Sequence, residues 1–101
     1  MEHLDERVNR VHKLSSDDVL VQVGDFIRHE RDLTSKTRVD LASDAGVHVH
    51  TLDRIEAGGN TGFKTLVKVI YGLGYDYEGG VVHFFADAND YDSGRNRGKE
   101  P

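Results

Sequence analysis

The tripeptide Ala45-Gly46-Val47 constrains this chain more than any other stretch. Before it, Val39, Leu41, Ala42 and Ala45 follow a helical apolar pattern, and after it Leu52 and Ile55 follow another. Gly46 offers a residue free to take positive φ at the end of the first pattern. The small Ala45 lets two helices cross closely. Two short helices joined this tightly make a helix-turn-helix. The flanks agree. Thr37-Arg38-Val39-Asp40 is a capping-box variant with Asp in the place of the usual Glu. The second helix starts near His48, and Gly58-Gly59-Asn60 closes it.

The rest of the chain is read around that unit. Leu4, Val8 and Val11, continued by Leu14, form a short amphipathic stripe over residues 2–13. Ser15-Ser16-Asp17-Asp18 stops it and caps a fresh helix, whose apolar face is Val19, Leu20, Val23, Phe26 and Ile27. Past the central unit, Thr61 is the expected cap of a helix with Phe63, Leu66, Val67, Val69, Ile70 and Leu73 inside, and Gly74 ends it. Then the period changes. Tyr75 to Gly80 reads as loop or early strand, and Val81, Val82, His83, Phe84 and Phe85 are rich in strand formers. A lone strand needs a partner for its edge, either a hairpin strand, for which Tyr75–Glu78 is the only local candidate, or the same strand of a second chain; pairing across a dimer is the expectation. Residues 87–101 have no apolar period and are expected to be a disordered tail.

The expected architecture is therefore mainly α, with four or five helices and a C-terminal β-strand paired across a dimer. It divides into an N-terminal amphipathic helix (1–14), a helix-turn-helix domain (15–76), a dimerisation strand (77–86) and a tail (87–101).

Composition narrows the function. A length of 101 residues suits one small domain. No apolar run approaches the roughly 20 residues that span a bilayer, and the first residues lack the apolar core of a secretory signal. With no cysteine, neither disulfides nor thiolate metal sites are available. A cytoplasmic protein is expected. The net charge of −5 counts against nonspecific affinity for nucleic acid, which rests on Lys and Arg neutralising phosphates. The acidity, however, lies in the flanks, and residues 33–76 are neutral. The chain carries no nucleophile-base-acid order, no P-loop and no GxGxxG, so an enzyme is not expected. His48 and His50 raise the question of a metal pair. On a helix, positions i and i+2 point about 200° apart, and no close acid or cysteine completes a tetrahedral set. No metal or cofactor is expected.

The order Leu41-Ala42-x-x-Ala45-Gly46-Val47-x-x-x-Thr51-Leu52-x-Arg54-Ile55-Glu56-x-Gly58 resembles the signature of the lambda-repressor-like, Cro-type (XRE) helix-turn-helix family. Residues 65–74, Thr65 to Gly74, resemble that family's fourth helix, and the likeness covers roughly residues 20–76. The N-terminal stripe and the final strand lie outside it. A subclass that includes HipB-type antitoxins ends in a strand and dimerises through it.

The resemblance implies double-stranded DNA as ligand. It puts His48, Val49, His50, Thr51 and Arg54 at the start of a recognition helix in the major groove. Val49 would cover a thymine methyl, and His50 would read guanine or adenine according to its tautomer. Arg54 would fork onto guanine. Arg38 matches a position that touches DNA backbone and base, and Arg31 with Glu56 matches an ion pair that bridges two helices. Blander readings compete: His48 as a polar cap only, Arg54 paired with Asp53 or Asp40, and Arg31 and Glu56 as two exposed charges. The function expected is a dimeric, sequence-specific DNA-binding transcriptional regulator, a repressor at a palindromic operator. The alternatives are an antitoxin-type autoregulator with a toxin partner and a protein-interaction module without DNA binding.

Overall fold

A computed structural model describes residues 14–91. Among them five helices form: α1 (Ser16–Leu33), α2 (Arg38–Ala45), α3 (Val49–Glu56), α4 (Phe63–Gly72) and α5 (Gly80–Asp90). The N-terminal stripe, apart from Leu14, and the last ten residues of the expected tail lie outside the described residues. No described helix is long and apolar enough to cross a membrane.

Capping explains where the first two helices start. Ser15 Oγ accepts the Asp18 N–H at 3.1 Å, and the Asp18 carboxylate accepts the Ser15 N–H at 3.1 Å. Thr37 and Asp40 repeat the exchange at the head of α2. Each box satisfies two amides that a helix start leaves without partners. Gly46 ends α2 at φ 72°, and its amide turns back onto the Ala42 and Ser43 carbonyls. Gly62 rather than Thr61 is the N-cap of α4, which has no side-chain cap.

The core gathers one apolar stripe from each helix. Val23, Phe26 and Ile27 of α1 meet Leu41 and Ala42 of α2, Leu52 and Ile55 of α3, Val69 and Ile70 of α4, and Phe84 and Ala88 of α5. Helix α1 packs on both α3 and α5, and α4 packs on α2 and α5. Two glycines set the closest crossings. A Cβ on Gly24 would run into the Ile55 carbonyl and stand 2.9 Å from that of Glu56. A Cβ on Gly72 would stand 3.0 Å from Ala45 Cβ. Backbone contact at Gly24 thus sets how deeply the end of α3 seats on α1.

The expected C-terminal strand is overturned. Val81, Val82, His83, Phe84 and Phe85 lie inside α5, and Asp87 to Asp90, expected as tail, complete that helix. There is no strand among the described residues. The physical reason is the period. Val81, Phe84, Phe85 and Ala88 fall at i, i+3, i+4 and i+7, so one helical face covers the core. Phe84 is fully buried, 5.3 Å from Phe26 and edge-on to Tyr75 at 5.4 Å between ring centres, while Val82 points outward, 74% exposed. Gly79, at φ 81°, makes the turn into the helix, and Gly80 lies so close to the Tyr75 carbonyl that no side chain fits. The backbone groups of α5 are paired within the helix, so a strand-paired dimer through residues 81–85 falls with the strand.

Polar bonds fasten α5 as well. Gln22 Nε2 donates to the Ala88 carbonyl at 3.1 Å. The buried Tyr75 hydroxyl lies 3.0 Å from Asp87 on α5 and 3.2 Å from Glu30 on α1. An apolar groove of about 220 Å³ stays open between α1 and α5, with Leu14, Val19, Phe85 and Ala88 in its walls.

Two expectations follow. In a helix interior Gly→Ala ordinarily stabilises by about 1 kcal/mol. Gly24→Ala should instead destabilise by about 2 kcal/mol or more, because the methyl meets fixed carbonyls; urea denaturation gives the sign. Burial, helped by the bond to Asp87, raises the Tyr75 phenol well above its ordinary value. The folded chain therefore keeps a proton that the unfolded chain loses near pH ~10. The stability this contributes is whole below that pH and declines as pH rises above it. Melting curves between pH 8 and 11 should fall more steeply for the wild type than for Tyr75→Phe.

Candidate nucleic-acid interface

The buried ion pair under the turn comes first, because it holds the exposed residues in place. Arg31 of α1 donates Nε to Glu56 Oε2 at 2.7 Å and Nη2 to Oε1 at 3.1 Å. Its remaining edge donates Nη1 to the Lys36 carbonyl at 2.8 Å and stands 3.3 Å from Asp32. Both residues are buried, at 8% and 5% exposure, so the pair is not two solvated charges. The Glu56 bond raises the Arg31 pKa, against the opposing pull of burial. No buried side-chain nitrogen or oxygen among the described residues lacks a partner.

Arg38 joins the same carboxylate. Its Nε donates to Glu56 Oε1 at 3.0 Å and lies 3.6 Å from Asp53 Oδ1. One glutamate at the end of α3 thus receives guanidinium groups from α1 and α2. Arg38 is only half exposed and largely neutralised by its neighbours. Its placement differs from that of a free backbone-contacting cation, and sequence spacing gave no hint of the third partner.

The start of α3 follows from the turn. His48 is the N-cap, with extended backbone, and its ring Nδ1 accepts the His50 amide at 3.1 Å. The His50 ring stacks on the His48 ring, centres 4.9 Å apart. Its Nδ1 stands 3.8 Å from Asp53 Oδ2, one helical turn on. His50, Arg54 and Asp53 are exposed, and Thr51 is half-buried. Leu52 and Ile55 are buried, as an inward stripe requires. Val49 departs from the outward placement expected of it, being half-buried and packed on the core. Behind the helix, the Arg54 carbonyl accepts the Gly59 amide at 2.8 Å, and the Arg54 stem lies where a side chain on residue 59 would stand. No described carboxylate pairs with the Arg54 guanidinium, in contrast to the Asp53 or Asp40 pairing open to it from sequence.

The structure thus brings His48, His50, Thr51 and Arg54 to one short helix behind a glycine turn, and ties Arg38, Arg31 and Glu56 into its support. Sequence reasoning offered Asp53 only as a partner for Arg54 and missed its place between His50 and Arg38. Its i+3 spacing from His50 was the available signal. Comparison with family models, curated proteins and solved structures finds no match to this chain.

The shared carboxylate predicts coupling. Breaking a buried pair by removing one partner costs about 3–5 kcal/mol, since a charge stays behind unpaired. Arg31→Met and Glu56→Leu should each destabilise strongly, and the double variant should lose much less than their sum. Arg31→Met should be the milder single change, because Arg38 still reaches Glu56. Additive losses in urea denaturation would show the pair to be uncoupled.

Proposed function

We propose that the chain is a sequence-specific DNA-binding regulator of transcription that lays α3 in the major groove. One observation carries the reading. A glycine turn presents a short helix whose outer residues His48, His50 and Arg54 are exposed polar groups, while its inner face and its C-terminal Glu56 are held by the core and by Arg31. Rigid support of a few donors is what base readout needs. The resemblance to the XRE family points the same way. Binding as a dimer to a two-fold operator belongs to this reading, with repression by promoter occlusion as the simplest outcome.

The second reading is a protein-interaction module on the same scaffold. It is favoured by the pairing of Arg38 with Glu56 and Asp53, which removes a cation from the surface, and by the net charge of −5. Selection from random duplexes separates the two. An enriched palindrome, bound with an affinity that falls steeply with salt, supports DNA binding, and no enrichment supports the protein module.

On the selected duplex, Arg54→Ala should cost about 1–3 kcal/mol and relax the preference at a single base position. A uniform loss on all sequences would make Arg54 a phosphate contact instead. Quantitative binding to a set of single-position variants of the duplex distinguishes these outcomes.

A further inference from the structure

The two imidazoles at the head of α3 are chemically unlike, and the difference comes from the backbone. The His50 amide donates to His48 Nδ1, so that nitrogen offers a lone pair and the His48 proton sits on Nε2. A second proton could enter only at Nδ1, where it would destroy the cap of α3. His50 has no such commitment. Its ring is 79% exposed, and its Nδ1 faces Asp53 Oδ2 at 3.8 Å.

The surroundings favour one charge and oppose two. The rings stack at 4.9 Å, so a pair of imidazolium ions would repel. From α2, Arg38 approaches the other Asp53 oxygen at 3.6 Å and is itself held by Glu56. Also on α2, Asp40 is engaged by the Thr37 amide. From α1, Arg31 is turned onto Glu56, away from the pair. Arg54 lies four residues beyond His50 on α3. Among the described residues, Asp53 is therefore the one anion placed against the His50 ring, and it is shared with Arg38.

Resting on the DNA-binding reading, we propose that the reading helix takes up one proton when it engages a phosphodiester backbone, that His50 carries it, and that His48 stays neutral as the cap. Phosphates around a bound helix favour the charged form of an imidazole. The bound chain then holds more protons than the free chain, so affinity rises as pH falls. The acidic flanks make one added cation at the interface count, since His50 and Arg54 are the exposed bases of the outer face of α3.

The test measures duplex binding between pH 5.5 and 8.5 at several fixed salt concentrations, on a duplex selected at pH 6. The wild type should bind about tenfold more tightly at the acid end, which is one pH unit of displaced titration. Its log–log salt slope should be steeper there by about 0.9, the mark of one more neutralised phosphate. His50→Gln should flatten both. His48→Asn should keep both, because asparagine caps helices well and brings no second imidazole. Wild-type binding that is flat in pH overturns this inference and leaves the DNA-binding reading standing. So does a His50→Gln variant with the full pH dependence, or a His48→Asn variant without it. Absence of duplex binding at every pH overturns the DNA-binding reading and this inference together.

Discussion

One carboxylate at the end of α3 organises the three helices around the glycine turn. Glu56 holds Arg31 through two bonds and Arg38 through a third, and Arg31 reaches on to the Lys36 carbonyl in the joint between α1 and α2. Three helices and one connection therefore meet at a single side chain. A buried charge pair adds little to net stability against an apolar alternative, because desolvation consumes most of its Coulomb attraction. Its effect is on uniqueness. The fork of Arg31 fits the two oxygens of Glu56 in one arrangement, and a rotation or slip of α3 would leave a buried ion unpaired.

Packing and charge act on the same point from two sides. Gly24 lets α1 approach the Ile55 and Glu56 carbonyls, and from the same helix Arg31 reaches the Glu56 side chain. Gly72 does the same for α4 against Ala45 and Leu41, directly behind the turn. The seat of α3 is thus fixed by two missing side chains and one shared carboxylate, and its exposed residues are placed by that seat.

The helix-turn-helix unit was legible because its signals are local. The Thr37 and Asp40 box, Gly46 and the Leu52 and Ile55 stripe each act within a few residues, and each stands where it was expected. The last element was not legible from residues 81–85 alone. Valines and phenylalanines there favour a strand by type, and reading their alternation stopped short of Ala88, whose spacing from Val81, Phe84 and Phe85 belongs to a helix. Tertiary burial against Phe26 then outweighs local preference. The site was half legible. Arg31 and Glu56 came from family resemblance, while the capture of Arg38 depends on how α2 and α3 cross. That crossing leaves no mark in spacing. Val49 shows the converse limit: beside an exposed neighbour at a helix start, it still turns partly inward.

The bond from Gln22 to Ala88 spans 66 residues, whereas Arg31 and Glu56 are 25 apart. By the logarithmic law of loop closure, joining the longer loop costs about 0.9 kcal/mol more. Helices α1 to α3 can knit over short separations, but α5 docks only after the rest of the described chain has been laid down to receive it. Phe84 can cover its side of Phe26 only once α5 is in place. The closing helix α5 thus carries the longest-range side-chain hydrogen bond among the described residues, and the largest loop-closure cost with it.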